Sequence, residues 1–481
     1  MSRDLNKEIL ELLGFEGEEL DAFMPDWLIA RERCLLDDEK LAFAIDTYIP
    51  QNWDIKYRGV RKMLGAWVRE LAAVVQTPEL KAKGVKIVYG ILPAIVTYYY
   101  AAKKAGGDNI YVAFPDLLMV TILNGIFNAA DPFLYEAEKN GFSYGCRHCP
   151  LNKMRFGAYI TGTIAAPDLI WSWGFNCDEG PKTDEMIQRL TGKQWNYHVS
   201  RVPHDSTFSE KEDLMDYRVH YMSEQMKLGV KAIEDATGIK VTDEHMAQAN
   251  AEFGRISFKI GMLNQMICSA NPPILGGEAI SFFLACMSVP VNGGFKYIEE
   301  ALDILTKELR QAVKNGEGVM PIDTPKVGFY NLPFCIPWMG KLFRDNGVIP
   351  TFNSGLSRSK YQNSPSRFPD DPWLAAAESW SRDGMCQNLY GEAMTMVEKV
   401  QEANVDGMIL GLFDFDRWLG VHQKLVAKIV SDECGTPTYY LEGDFWDDRE
   451  YNQEALKTKI ETLCQIINTR KAMKLMDEQG E

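Results

Sequence analysis

Cys149 stands directly before Pro150 and the run LNKMRFGAYITG. A proline in a first-turn position marks a helix start, because the N–H it lacks would have had no partner there. A thiol at that point meets the positive end of the helix dipole, which favours the thiolate, the form that binds metals. Cys177 follows the apolar run DLIWSWGFN and opens CDEGPKTDEMIQRL, so it falls between the carboxyl end of a strand and the next helix. Open α/β sheets gather ligands at that edge. Cys146 completes a C-x-x-C with Cys149 in CRHC, a spacing that serves thiol redox pairs, half zinc sites and iron-sulfur clusters. No second C-x-x-C completes a zinc ribbon. Cys335, in NLPFCIPW after another strand-like run, is a further candidate, with burial at a strand end as the simpler account. The six histidines are scattered, and His198 and His204, which flank a strand end, make no catalytic triad. Glu442 and Asp444 in LEGDFWDD lie at a strand end too, although acids there also cap and solvate.

The elements that position these residues follow from periodicity. Residues 1–82 read as a helical segment, with apolar positions recurring at three and four in RKMLGAWVRELAAVV. Residues 83–205 alternate short apolar runs (VKIVYGI, NIYVAF, DLIWSWGFN, WNYHVSRVP) with helices, the pattern of parallel βαβ units. Residues 206–322 lose the strand signal and form a helical bridge; residues 323–481 return to alternation as a second α/β domain, so the two could be a diverged pair. The fold class is therefore α/β. Tyr98, Tyr99, Tyr100, Trp171 and Trp173 could line an apolar pocket, but tryptophans on a buried strand are more simply core. Cys34, Cys268, Cys286 and Cys464 sit in apolar helical contexts as small hydrophobes, and Cys386 and Cys434 are also read as structural.

Composition narrows the function. At 481 residues and 46% hydrophobic the chain buries a large core, and its net charge of −16 disfavours phosphate backbones and anionic bilayers. The first thirty residues carry acids throughout and lack an apolar signal core, and no run reaches the roughly 18 apolar residues of a membrane span. A cytoplasmic protein with reduced thiols and no nucleic-acid or membrane partner is expected. GxxxxGK[ST], a helix-opening GxGxxG, HExxH and GxSxG are all missing from the sequence.

Four blocks carry a resemblance: HCPLNKMRFGAYITG, APDLIWSWGFNCDEGPKTDEMIQRLTGKQWNYHVSRVP, VDGMILGLFDFDRWLG and TPTYYLEGDFWDDREYNQEALKTKIETLCQII. In order and spacing they resemble the 2-hydroxyacyl-CoA dehydratase and benzoyl-CoA reductase family, from about Val85 to the C-terminus. KIVYGILPAIVTYYYAAKKAGG is similar to that family's first strand and helix, and KVGFYNLPFCIPW to the block opening its second domain. Length and layout resemble the larger subunits of the two-subunit dehydratases.

The resemblance implies two flavodoxin- or Rossmann-like lobes and a [4Fe-4S] cluster held on three cysteines between them. Two of those positions fall on Cys149 and Cys177. The third lies nine residues after the glycine of a DG pair, here Asp406-Gly407, and holds Asp416, a harder ligand than a thiolate. Three ligations stay open: a cluster on Cys149, Cys177 and Asp416, supplemented by Cys146; a lost cluster in a scaffold subunit; or another metal such as zinc at a mixed site. The chemistry implied is one-electron reduction of an acyl-CoA thioester to a ketyl radical, with electrons from a separate ATP-hydrolysing activator and a smaller homologous subunit as partner.

Overall fold

The computed structural model describes residues 3–91, 96–142, 148–173, 179–201, 216–269, 271–287, 291–330, 338–353, 365–382, 389–412, 417–442, 446–447, 449 and 453–479. A layer of helices precedes the first strand. In the helix Arg58–Val74, Val60, Met63, Leu64, Trp67, Val68 and Leu71 form one buried stripe. It packs on the later helix Lys296–Lys314. Tyr57, before the first turn, gives no capping bond; Glu308 of the later helix accepts the N–H groups of Arg58 (3.0 Å) and Gly59 (2.9 Å) instead.

The strands β1 (Lys86–Gly90), β2 (Ile110–Ala113), β3 (Leu169–Trp173) and β4 (Asn196–Ser200) form a parallel sheet in the order β2-β1-β3-β4. A second parallel sheet, β5 (Lys326–Tyr330), β6 (Ile349–Asn353), β7 (Gly407–Leu412) and β8 (Thr438–Glu442), has the order β6-β5-β7-β8. Both sheets thus wind the same way. The strands β1, β2, β5 and β6 are buried along nearly all their length, whereas β4 is exposed at Asn196 and Tyr197. In β7 successive residues serve different cores: Ile409 joins the large cluster that runs from the N-terminal helices through the first sheet, and Met408 and Leu410 join Tyr330, Phe352, Met396 and Val426.

Between the sheets run the helices Asp216–Thr237, Asp243–Ile267, Gly277–Met287 and Lys296–Lys314. The first lies on the sheet so closely that a Cβ at Gly229 would come within 1.9 Å of Trp171 Cε2. Trp171 Nε1 donates to Ser200 Oγ (2.9 Å), and the ring stacks on Tyr99 at 4.5 Å. Tyr98, Tyr99, Tyr100 and Trp171 are all buried and serve as core; the side chain of Trp173 lies outside the described residues. Cys34 and Cys464 are buried, and burial pushes both thiols up to about 12. Among the described residues, no helix is long and apolar enough to cross a membrane.

Candidate metal centre

In each sheet the chain crosses from one side of the first strand to the other, leaving a crevice at the carboxyl ends of β1 and β3, and again of β5 and β7. β3 ends at Trp173 and β7 at Leu412, so Cys177 and Asp416 each come four positions after the corresponding strand. Both of these residues, with Cys146 and Cys335, lie outside the described residues, as do His204, Cys386 and Asp444. Among the described residues no three His, Cys, Asp or Glu side chains converge as a metal-holding group.

Cys149 is described, and it is the N-cap of the helix Pro150–Ile160, with Pro150 in the first turn. Its side chain is buried, and its N–H donates to Glu179 Oε2 at 2.7 Å. Glu179 in turn precedes the helix Gly180–Thr191. His148 strengthens the same junction: Nδ1 lies 3.5 Å from Glu179 Oε2, and Nε2 lies 3.2 Å from Thr183 Oγ1. Burial lowers the His148 pKa to about 4, with Lys153 and Arg155 adding to the effect, so the ring is neutral at pH 7.

A turn and a half further in, Arg155 joins three helices. Its fork takes both oxygens of Asp184 (2.8 and 3.1 Å), while Nε lies 2.7 Å from Asp116 Oδ1, on the helix Pro115–Ile122 that follows β2. Trp195 Nε1 also donates to Asp184, at 3.1 Å. Burial pushes the Asp116 carboxyl up to about 7, against the pull of Arg155 and with a push from Asp184. On its other side the Pro150–Ile160 helix presses against the helix Asp131–Lys139, where a Cβ at Gly157 would stand 2.0 Å from the Phe133 carbonyl oxygen.

The chain beyond β8 reaches this edge as well. Arg449 pairs with Asp447 (2.5 Å) and with Glu138 (2.9 Å), and Glu138 pairs with Lys153 of the Cys149 helix (3.2 Å). The Arg449 guanidinium also lies over the Tyr135 ring at 4.4 Å. Asn124 Nδ2 donates to the Trp446 carbonyl at 2.9 Å. In the second sheet, Tyr330 at the end of β5 donates to Glu392, whose other oxygen is hydrogen-bonded to His422 Nε2; all three are buried.

Sequence reading placed Cys149 at a helix start by its proline but missed Glu179 and Arg155. The first could have been suspected as an acid two positions beyond Cys177, where a helix begins. The second had no local signal, since its partners lie 29 and 39 positions away.

The model of the family described as "2-hydroxyglutaryl-CoA dehydratase, D-component" matches residues 111–467. The chain is 22% identical over 355 residues to the (R)-2-hydroxyisocaproyl-CoA dehydratase alpha subunit of Clostridioides difficile, covering 70% of this chain and 81% of that one. It is 19% identical to one of the subunits of benzoyl-CoA reductase of Thauera aromatica, covering 73% and 83%. To the alpha subunit of (R)-2-hydroxyglutaryl-CoA dehydratase of Acidaminococcus fermentans it is 21% identical, over 64% of this chain and 62% of the relative. With two like-wound parallel sheets and a match across most of its length, the chain belongs to the 2-hydroxyglutaryl-CoA dehydratase D-component family.

Proposed function

We propose that the chain is the larger subunit of an anaerobic, cytoplasmic acyl-CoA-processing complex, and that Cys149, Cys177 and Asp416 hold an iron-sulfur cluster, supplemented by Cys146 and Cys335. Family membership and the relatives' names support a CoA thioester as the substrate class. The observation that supports pairing Cys149 with Cys177 is the bond from the Cys149 N–H to Glu179, which draws the start of one helix to a residue two positions from Cys177 in sequence.

The donor chemistry fits such a group. Cys149 is a buried thiol at the positive end of a helix, and a carboxylate as third ligand is harder than sulfur but still binds iron. When bound, a cluster of this kind supplies low-potential single electrons for thioester chemistry. The described residues act around it: Glu179 holds the Cys149 backbone, and neutral His148 joins Glu179 to Thr183 without adding charge. That the relatives are named as subunits supports a smaller homologous partner, and the missing nucleotide motifs agree with a separate ATP-hydrolysing activator.

Iron and acid-labile sulfide, measured on anaerobically purified and reconstituted protein, test this reading. About four of each per chain are expected for a [4Fe-4S] cluster. No iron after reconstitution would remove the cluster and leave the second reading, a metal-free scaffold shaping the acyl-CoA site of a catalytic partner. Asp416 in place of a third thiol is the feature that favours it.

A further inference from the structure

Resting on the ligand set proposed above, we propose that Arg155 is a positioning residue that fixes Cys149 relative to the chain segment carrying Cys177. Arg155, Asp116 and Asp184 are each no more than 2% exposed. One cation between two acids in the interior is an expensive way to join helices, and a well-packed apolar trio of similar volume is usually at least as stable. What the charged trio adds is geometry. The guanidinium is planar: its Nη1 and Nη2 each donate to one oxygen of Asp184, and its Nε lies beside Asp116 as an ion pair without a hydrogen bond, an arrangement a lysine cannot reproduce.

Arg155 and its two partners sit on three helices: Pro115–Ile122, which follows β2, Pro150–Ile160, capped by Cys149, and Gly180–Thr191, which follows Glu179. Between the last two helices there are two ties. One is at their starts, through Cys149 N–H, His148, Glu179 and Thr183; the other is deeper, through Arg155 and Asp184. One tie allows a helix to pivot, whereas two fix both its rotation and its slide. The close backing of Gly157 on Phe133 blocks compensation from the other side. Small errors here reach the thiol directly, because Arg155 and Cys149 share one rigid helix.

The test compares parent, Arg155→Lys, and the apolar trio Asp116→Leu/Arg155→Met/Asp184→Leu. Metal-free protein is treated with dibromobimane, which bridges only neighbouring thiols, and the Cys149–Cys177 product is quantified by peptide mass spectrometry. Iron uptake from ferrous iron and sulfide is measured in parallel, with melting curves as the control for folding. The expected result is folded variants in which the cross-link falls about tenfold, as ångström-scale misplacement does to reactions that depend on proximity, and in which iron content falls with it. Folded variants with the parent's cross-link yield would overturn the proposal, and so would unfolding of both variants, which would assign Arg155 to stability alone. A parent that cross-links but takes no iron would overturn the cluster reading and leave the role of Arg155 standing. A parent that does not cross-link would overturn both.

Discussion

Asp168 and Asp406 occupy the same station in the two sheets. Each is the residue immediately before the third strand of its sheet, and each closes a two-bond ring on the first strand. The Asp168 N–H donates to the Ile87 carbonyl (2.7 Å) while its carboxylate accepts the Ile87 N–H (2.8 Å). Asp406 does the same with Lys326, at 2.7 and 2.9 Å. With the shared strand order, this makes the two halves one plan used twice.

The Asp406 ring also takes Lys471 from the C-terminal helix, at 2.9 Å. Asp406→Ala leaves the Lys326 N–H without its acceptor and the lysine without its partner. A loss of about 1–3 kcal/mol is expected, read as a lower urea midpoint. A double-mutant cycle with Lys471→Ala should return a coupling energy clearly above zero.

Glu70 sets a pH dependence. Burial raises its carboxyl to about 8, against the weaker pull of Lys103. The native state therefore holds this proton while the unfolded chain releases it near the usual carboxylate value, and this group's contribution to stability declines as pH rises from about 4.5 to about 8. Glu70→Gln should match the parent at pH 5 and melt above it at pH 8. An equal melting difference at both values would refute the assignment.

Gly157→Ala pits two effects against each other. Alanine in a helix interior gains about 1 kcal/mol over glycine. The new Cβ, however, meets the Phe133 carbonyl oxygen at 2.0 Å, a backbone atom that moves only with its helix. Overpacking wins, with a net loss of about 1–3 kcal/mol in chemical denaturation. Any stabilisation would mean the two helices are further apart than described.

Asp416→Cys replaces the proposed oxygen ligand with sulfur. Iron-loaded variant protein should show an altered absorption and paramagnetic spectrum, since thiolates and carboxylates tune a cluster differently. Identical spectra in two equally loaded proteins would exclude Asp416 from the centre.

The sheets were legible in the sequence because strands buried on both faces are written as unbroken apolar runs, as in VKIVYG and NIYVAF. Cys149 was legible for a local reason, the proline that follows it. The interior charges were not. Arg155 with Asp184, Glu392 with His422, and Glu308 at the start of a helix some 250 positions earlier are partnerships that only the folded chain creates. Local windows also missed the π-helical turns at Ala44–Tyr48 and Leu123–Phe127, where a single extra residue is absorbed within an otherwise helical pattern.

The ion pairs around Arg449 bear on the order of synthesis. Glu138 emerges from the ribosome 311 residues before the arginine that will meet it. The edge carrying Cys149 is therefore finished only after the whole second sheet has been translated, and the nascent first half leaves the tunnel with that flank still waiting for its covering stretch of chain.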